Sequence, residues 1–345
     1  KAIAYTNVFQ MLLLIAVSLL LVVLGIVKAG GVQAIYEATP GAYWNLLKPM
    51  GDSTYPWLAI VLGYPIMGVW FWCTDQSMVQ SVLGAKSLKE GQLGANFIGW
   101  LKILDVPLFI LPGILCFVLY PGLSNPDEAY LTMVTQLFPA GLRGLIIVVL
   151  IAALISTIGS ALNSLSTVFT MDIYVRKHNP TASASHIVGI GRVVVVAGAL
   201  ISVVITLAID SIRGLNLFDI FQSVLGFIAP PMSVVFLTGV LWKKTTTRAA
   251  NFALLAGTLL SIGTGILYLW VIPAPAVAWP HFLLLSFYLF IAILLMTIVI
   301  TLLDKKVQPK SSLPLFELHP TALVKWLWVA LAAVMIVLYI VFNGH

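Results

Sequence analysis

The chain has 345 residues, of which 61% are hydrophobic and only 9% are charged, whereas soluble domains carry about 25% charged residues. This composition excludes a water-soluble fold. The net charge of +6 does not indicate a nucleic-acid-binding surface, because the basic residues lie in short connections between apolar runs, where they set membrane topology.

Long apolar runs recur along the whole chain, and each matches the roughly 20 residues that a helix needs to cross a hydrocarbon core. Membrane β-strands would instead give shorter, alternating segments. We therefore predict an all-α integral membrane protein with nine transmembrane spans. They cover residues 4–27, 57–83, 97–120, 140–173, 186–209, 218–241, 250–272, 281–303 and 324–342.

Glycine and proline predict interruptions in three of these spans. The second span contains Gly63-Tyr64-Pro65, the third Pro112-Gly113 and the sixth Pro230-Pro231. A proline removes one helical hydrogen bond, and breaks in membrane helices persist only where protein or a water-filled cavity satisfies the freed backbone groups. We expect these spans to be broken or tilted.

The distribution of lysine and arginine predicts the orientation. With residue 1 in the cytoplasm, twelve basic residues fall on the cytoplasmic side and four on the other, in line with the positive-inside rule. The cytoplasmic set comprises Lys1, Lys86, Lys89, Arg176, Lys177, Lys243, Lys244, Arg248, Lys305, Lys306, Lys310 and Lys325; the other set comprises Lys28, Lys48, Arg143 and Arg213. We predict a plasma (inner) membrane protein with a cytoplasmic residue 1 and an exoplasmic C-terminus.

Two connections between spans are long. The exoplasmic segment 28–56 is predicted to pack as a structured loop or short helix over the bundle, and the cytoplasmic segment 304–323 is predicted to be a linker to the final span. The chain opens on Lys1 with a run that lacks a signal-peptide cleavage site, so we expect it to start within a longer protein.

The residue inventory does not support an enzyme. The five histidines are scattered through loops and chain ends without metal-ligand spacing. The sequence contains no glycine-rich phosphate loop and no Gly-x-Ser-x-Gly elbow. Cys73 and Cys116 both fall inside apolar segments and are predicted to be buried free thiols. We therefore predict no enzymatic activity.

Polar residues within spans carry the functional prediction, because they are costly in a membrane. In the fourth span one helical stripe carries four of them, with Thr157 alongside. They are Ser156, Ser160, Asn163 and Thr167. Hydroxyls and a free carbonyl supply the oxygen ligands that a cation such as sodium needs. Packing of small residues between helices explains the stripe as well, so both interpretations remain open.

The other polar features each allow two interpretations. Lys102 snorkels to the interface, donates to a solute hydroxyl or pairs with a carboxylate. Gln222 either bridges two helices or holds a sugar hydroxyl. Asp75 and Asp219 are either caps or internal salt-bridge partners, or they take part in gating. The aromatic run Trp-Phe-Trp at 70–72 either belongs to an interfacial belt or stacks on a pyranose ring.

Four stretches of the sequence resemble the sodium/glucose cotransporter branch of the sodium/solute symporter family. In chain order they are Trp70-Phe71-Trp72-Cys73-Thr74-Asp75-Gln76 with Val79-Gln80; Ser156 through Asn163-Ser164 into Phe169-Thr170-Met171-Asp172-Ile173-Tyr174; Leu217-Phe218-Asp219 with Gln222 and Pro230-Pro231; and Val235-Phe236-Leu237 into Trp242-Lys243-Lys244. The resemblance covers about residues 1–250. It implies a LeuT-like inverted-repeat transporter fold, in which two five-helix repeats surround a midplane site.

The resemblance also implies a domain organisation. The whole chain, 1–345, is similar to one partial transmembrane transporter domain. Span 4–27 looks like the last helix of the first repeat, 57–241 like the second inverted repeat, and 250–342 like peripheral C-terminal helices. Core helices five to ten and three C-terminal helices are then present, and the preceding core helices are expected from the full-length protein.

The family's sodium site maps onto the Ala153 carbonyl and the Ser156 and Thr157 hydroxyls, so Na⁺ is the expected cofactor and the only expected metal. One departure concerns coupling. The family's Tyr-Thr-Asp motif reads Tyr5-Thr6-Asn7 here, and the loss of that carboxylate weakens proton coupling or a second cation at this point. One sodium per solute is therefore expected.

The family's sugar contacts map onto Lys102 and Gln222, and we assign Gly68, Phe71 and Trp72 to the same substrate-binding pocket. A second departure lies here. Sugar transporters of the family close the inner side of the pocket with a tyrosine where this chain has Phe71, which can stack on a sugar but cannot hydrogen-bond to it. The resemblance therefore implies that gating or the substrate differs.

The function that these features predict is sodium-coupled symport, importing a glucose- or galactose-like sugar by alternating access. The candidates for coupling or gating are Asn7, Phe71, Asp75 and Asp219. Expected partners are the solute, sodium and the lipid bilayer, with no nucleic acid. Two alternatives remain: a sodium symporter of the same fold for an inositol, a sialic acid or a carboxylate, and a membrane sensor that binds solute without transporting it.

Overall fold

The computed structural model describes residues 2–52, 54–210, 212, 215–272, 279–304 and 321–343, which form thirteen α-helices. They are α1 (Ala2–Lys28), α2 (Val32–Ala38), α3 (Trp57–Cys73), α4 (Gln76–Leu83), α5 (Leu88–Asp105), α6 (Leu111–Leu119), α7 (Ala129–Leu137), α8 (Ala140–Val168), α9 (Ala184–Asp210), α10 (Leu217–Leu241), α11 (Thr247–Ile266), α12 (Phe282–Leu303) and α13 (Ala322–Val341). Segments of π-helix follow α5, α8 and α11, at Val106–Ile110, Phe169–His178 and Leu267–Val271.

Eight helical stretches of the described residues are long and apolar enough to cross a membrane. A ninth span results if α3 and α4, which bend by 54° between Cys73 and Gln76, are counted together. The prediction of an all-helical protein with nine spans is thus confirmed. The third span begins earlier than predicted, at Leu88, and runs to Leu119.

The second span is broken, as predicted, but not at Pro65, and the interruption predicted at Pro230-Pro231 is wrong. Pro65 lies inside the continuous helix α3, and Pro230 and Pro231 lie inside α10. Buried neighbours on α10, including Ala229 and Val234, hold that helix in place on both sides of the prolines, so the loss of single backbone hydrogen bonds does not end it. The bend of the second span lies instead at the Asp75 cap.

The third span deforms ahead of the predicted site. A π-helical turn at Val106–Ile110 joins α5 to α6, and Pro112 lies in the first turn of α6. The π turn contains Pro107, which has no N–H to donate to the preceding turn. A wider turn absorbs that loss without breaking the helix, and such turns are frequent at functional sites.

The chain divides into two compact units. Unit 1 comprises residues 1–46, 93–205 and 327–345, and unit 2 comprises 47–92 and 206–326. In unit 1, α1, α6, α7 and α8 enclose a core around Leu21, Leu115 and Met133, which are fully buried. The short helix α2, which lies within the predicted exoplasmic loop, adds Ile35 to this core.

Unit 2 is built from α3, α10, α11 and α12. Met67, Phe227 and Leu283 belong to one core cluster, and the Ser233 hydroxyl of α10 donates to the Ile66 carbonyl of α3 over 2.7 Å. Helices in lipid gain little from the hydrophobic effect, so close packing and interhelical hydrogen bonds hold them together. Residues 305–320, most of the predicted linker, lie outside the described residues.

The two cysteines differ in their surroundings. Both are free thiols, and Cys116 is buried, whereas Cys73 is exposed. The prediction of burial is therefore wrong for Cys73, which is the last residue of α3 before the bend.

The first prediction concerns the contact between α3 and α12. A Cβ atom at Gly63 would lie 2.5 Å from the Leu283 carbonyl oxygen and 2.6 Å from the Leu283 Cβ, so Gly63→Ala must push the two helices apart. We expect destabilisation by about 1–3 kcal/mol, the usual cost of overpacking. Thermal unfolding of the purified protein in detergent measures it. Gly263→Ala on α11 is the control, because nothing lies within 4 Å of that position; equal stability of the two variants would contradict the close contact.

A second prediction concerns His281, the N-cap of α12. Its Nε2 lies 2.6 Å from the Thr54 carbonyl and its Nδ1 accepts from the Leu283 amide over 3.3 Å, an arrangement that requires the neutral ring. Burial lowers the pKa of His281 from its ordinary value of 6.5. The neutral form is favoured in the folded state, so its stabilisation is present above pH 6.5 and is lost as the pH falls through the lowered pKa.

Thermal unfolding between pH 7.5 and pH 5 tests this prediction. The wild-type protein is expected to lose stability toward acid more steeply than His281→Asn, because asparagine can cap the helix without titrating. Parallel pH profiles for the two proteins would show that protonation of His281 does not destabilise the fold.

Candidate functional site

A cavity of about 350 Å³ in unit 1 lies among α1, α8 and the third span. Its walls carry all three residues predicted to bind sodium, together with Asn7 of α1 and Asp105 at the end of α5. The lining residues are Asn7, Gln10, Met11, Leu14, Ile15, Leu101, Leu104, Asp105, Leu108, Phe109, Ala153, Ser156 and Thr157. The structure thus brings residues from distant parts of the sequence to one mostly apolar space with a small polar side.

The polar side of this cavity is organised by two hydrogen bonds. The Ser156 hydroxyl donates to Asn7 Oδ1 over 2.9 Å, which ties α8 to α1. The Thr157 hydroxyl donates to the Ala153 carbonyl over 2.9 Å, within α8. Both hydroxyl oxygens keep lone pairs. The cluster therefore presents neutral oxygen atoms, the kind of ligand that suits a hard monovalent cation.

Other residues of the predicted stripe on α8 do not line this cavity. Asn163 and Thr167 line a second cavity, of about 620 Å³, against α9. The Thr167 hydroxyl donates to the Asn163 carbonyl over 2.8 Å, the same intrahelical bond that Thr157 makes to Ala153. This bond therefore does not separate the two interpretations that the sequence left open, and cation binding by the stripe stays a prediction.

Lys102 belongs to unit 1 and forms an ion pair, which is one of the alternatives that the sequence left open for it. Its Nζ lies 2.7 Å from Asp105 Oδ2, and the two side chains are 56% and 42% exposed. The position of Asp105 three residues after Lys102, on the same face of a span, is the sequence signal for this pair.

The predicted solute residues Gly68, Phe71 and Trp72 lie on α3 in unit 2, and Gln222 lies on α10 in the same unit. Gln222 Nε2 donates to the Tyr64 hydroxyl over 3.0 Å. Tyr64, Gly68 and Phe71 share one face of α3, because they are spaced by four and three residues.

Tyr64 is therefore a second functional candidate that the sequence reasoning passed over. In the sequence, Tyr64 is part of the interruption predicted at Gly63-Tyr64-Pro65. A tyrosine inside a span needs a partner for its hydroxyl, and that need was the available signal. Gly68 adds free space to the same face of α3, since the nearest atom that a Cβ would meet is 4.0 Å away, on Trp72.

The aromatic residues at the end of α3 form a connected group. Phe71 and Trp72 meet edge to face with ring centroids 4.9 Å apart, and Trp70 and Phe71 lie 6.1 Å apart. Trp72 is 43% exposed. Edge-to-face contact fixes the orientation of the rings and leaves the Trp72 side chain partly accessible.

The two aspartates proposed for gating make structural contacts. Asp75 caps α4 by accepting from the Ser77 and Met78 amides. Asp219, in the first turn of α10, accepts from the Tyr55 hydroxyl over 2.6 Å and from Asn216 over 2.7 Å. Burial and this hydrogen bond raise the pKa of Tyr55. A gating role for either aspartate stays a prediction.

Comparison with known proteins places the chain in a family. The model of the sodium:solute symporter family matches residues 1–257. The chain is 32% identical over 296 residues to the human sodium/myo-inositol cotransporter 2, covering 76% of this chain and 44% of that protein. A sodium/mannose cotransporter of Bos taurus is 32% identical over 314 residues, covering 81% and 52%.

Sodium/glucose cotransporter 2 of Rattus norvegicus is 35% identical over 246 residues, covering 66% of this chain and 36% of that protein. The chain thus spans about half the length, or less, of the curated relatives it matches. All three are cotransporters by name, so the prediction that the chain is not an enzyme is confirmed, as is the resemblance found in the motifs. This multi-pass membrane chain belongs to the sodium:solute symporter family.

Proposed function

We propose that the complete protein is a sodium-coupled symporter that imports a sugar or a cyclic polyol by alternating access. The observation that carries the proposal is the oxygen cluster of Asn7, Ala153, Ser156 and Thr157 in one cavity of a sodium:solute symporter. The names of the relatives, which include myo-inositol, mannose and glucose, support a polyhydroxylated solute. A plasma-membrane location with a cytoplasmic residue 1 is part of the same proposal.

Sodium binds, in this proposal, to the Ala153 carbonyl and the Ser156 and Thr157 hydroxyls. Because Ser156 also bonds to Asn7 of α1, occupation of the site would fix α8 against α1. A cation that binds one conformation better than the other shifts the population toward it. Sodium would thereby favour the state that accepts solute.

The solute binds, in this proposal, to groups that both donate and accept hydrogen bonds. Gln222 and Tyr64 already form such a pair, and a sugar hydroxyl can insert between them or replace one partner. Phe71 and Trp72 offer flat apolar rings for the C–H face of a sugar. Lys102 remains the cationic donor that the resemblance assigns to the solute.

Coupling between the two ligands is then thermodynamic. If sodium and solute both favour the same state, each raises the affinity of the other by the same factor. The domain organisation deduced from the resemblance, with 57–241 as the second inverted repeat, is the framework within which we propose the alternation of access.

The test of the cation site uses the complete protein in proteoliposomes. Ser156→Ala and Thr157→Val each remove one oxygen ligand, so the sodium concentration for half-maximal uptake is expected to rise roughly tenfold, the cost of one lost charge-assisted contact. Thr167→Val is the control, because Thr167 makes the same intrahelical bond as Thr157 but lies outside the cavity. Unchanged sodium activation in both site variants would count against the cation site.

The test of the solute site uses Tyr64→Phe, which removes the partner of Gln222 without removing the ring. We expect the solute KM to rise roughly tenfold, because the half-buried Gln222 amide loses a hydrogen bond, while ²²Na⁺ binding measured without solute stays unchanged. Tyr288→Phe on α12 is the control, since Tyr288 is 51% exposed. Equal solute KM values for wild type and Tyr64→Phe would remove the Gln222–Tyr64 pair from the site.

A further inference from the structure

Asp105 is the one carboxylate that lines the 350 Å³ cavity. The other polar atoms of the cation site proposed in this cavity belong to neutral residues, namely Asn7, Ala153, Ser156 and Thr157. A cation held among neutral dipoles in a membrane protein retains an unbalanced charge, which is unfavourable in a medium of low dielectric constant. The cavity therefore contains both neutral ligands and a possible counter-charge.

Asp105 lines this cavity and also contacts Lys102, and its two carboxylate oxygens differ in their partners. Its Oδ2 lies 2.7 Å from Lys102 Nζ. Its Oδ1 has no hydrogen-bond partner among the residues that the structure describes. Lys102 itself is not among the residues that line the cavity. A carboxylate carries one delocalised negative charge, so a cation that approaches the free Oδ1 competes with the Lys102 ammonium for that charge.

The backbone next to Asp105 is also unusual. α5 ends at Asp105, and the π turn Val106–Ile110 begins at the next residue. Leu108 and Phe109 of this turn line the same cavity. A π turn widens the helix, and such turns are frequent at functional sites.

We propose that Asp105 supplies the negative charge that balances sodium in this cavity and that the Lys102 ammonium competes with sodium for this carboxylate. The proposal rests on the function proposed above. Without sodium, the ammonium neutralises the carboxylate. When sodium takes the carboxylate, the ammonium is released. One exchange of cations on Asp105 thereby keeps the carboxylate neutralised both with and without sodium.

The competing explanation is a helical ion pair without a transport role. Pairs at this spacing stabilise a helix slightly, and partly exposed pairs contribute little. In that case the two residues affect folding alone, and neither substitution changes the affinity for sodium. The exchange model instead predicts opposite effects, because one substitution removes a ligand and the other removes a competitor.

The experiment measures ²²Na⁺ binding to the complete, purified protein in the absence of solute. Asp105→Asn is expected to weaken sodium binding roughly tenfold, and Lys102→Met is expected to strengthen it roughly threefold or more. The double variant is expected to match Asp105→Asn, since removal of the competitor has no effect once the carboxylate is gone. Glu90→Gln, in the first turn of α5 and outside the cavity, is the matched control.

If Asp105→Asn does not fold, Asp105→Glu and Lys102→Met decide the question, with sodium binding retained in the first and strengthened in the second.

The failure of this inference differs from the failure of the proposed function. Sodium binding to wild type with equal affinities in Asp105→Asn, Lys102→Met and Glu90→Gln would overturn the exchange on Asp105 and leave the symporter intact. The absence of sodium binding and of sodium-driven uptake in wild type would overturn the proposed function itself.

Discussion

Polar groups inside a membrane have no water to bond with, and this constraint organises the structure. Several hydroxyls satisfy it locally: Thr157, Thr167 and Thr297 each donate to a carbonyl one turn earlier in the same helix. Side-chain pairs that bond between helices are fewer, and two of them mark the proposed sites. Ser156 with Asn7 joins α8 to α1, and Gln222 with Tyr64 joins α10 to α3.

The same constraint explains how charge is distributed. The polar side of the unit 1 cavity consists of amide, hydroxyl and carbonyl oxygens plus one carboxylate, and that carboxylate is already neutralised by Lys102. In the exchange that we propose, binding of a cation therefore requires a rearrangement of charge as well as oxygen ligands. A carrier benefits from such a requirement, because ion binding then has a consequence elsewhere in the site.

Proline shows why local sequence signals were insufficient for the fold. Pro65 and the pair Pro230-Pro231 suggested broken helices, yet α3 and α10 continue through them. The bend of the second span lies instead at Asp75, and a π turn forms around Pro107. A missing N–H costs one hydrogen bond wherever it occurs. Whether the helix bends in response depends on the packing of its neighbours, which a single sequence does not reveal.

The sequence by itself determined the membrane class, the number of spans, the family and the α8 segment with Ala153, Ser156 and Thr157, because these follow from hydropathy and from contiguous motifs. Only the tertiary structure decided which polar residues are partners. Asn7 and Ser156 are 149 positions apart, and Tyr64 and Gln222 are 158 apart. The role of Asp105 likewise depends on the cavity that it lines, since a cavity forms only when separate helices pack together.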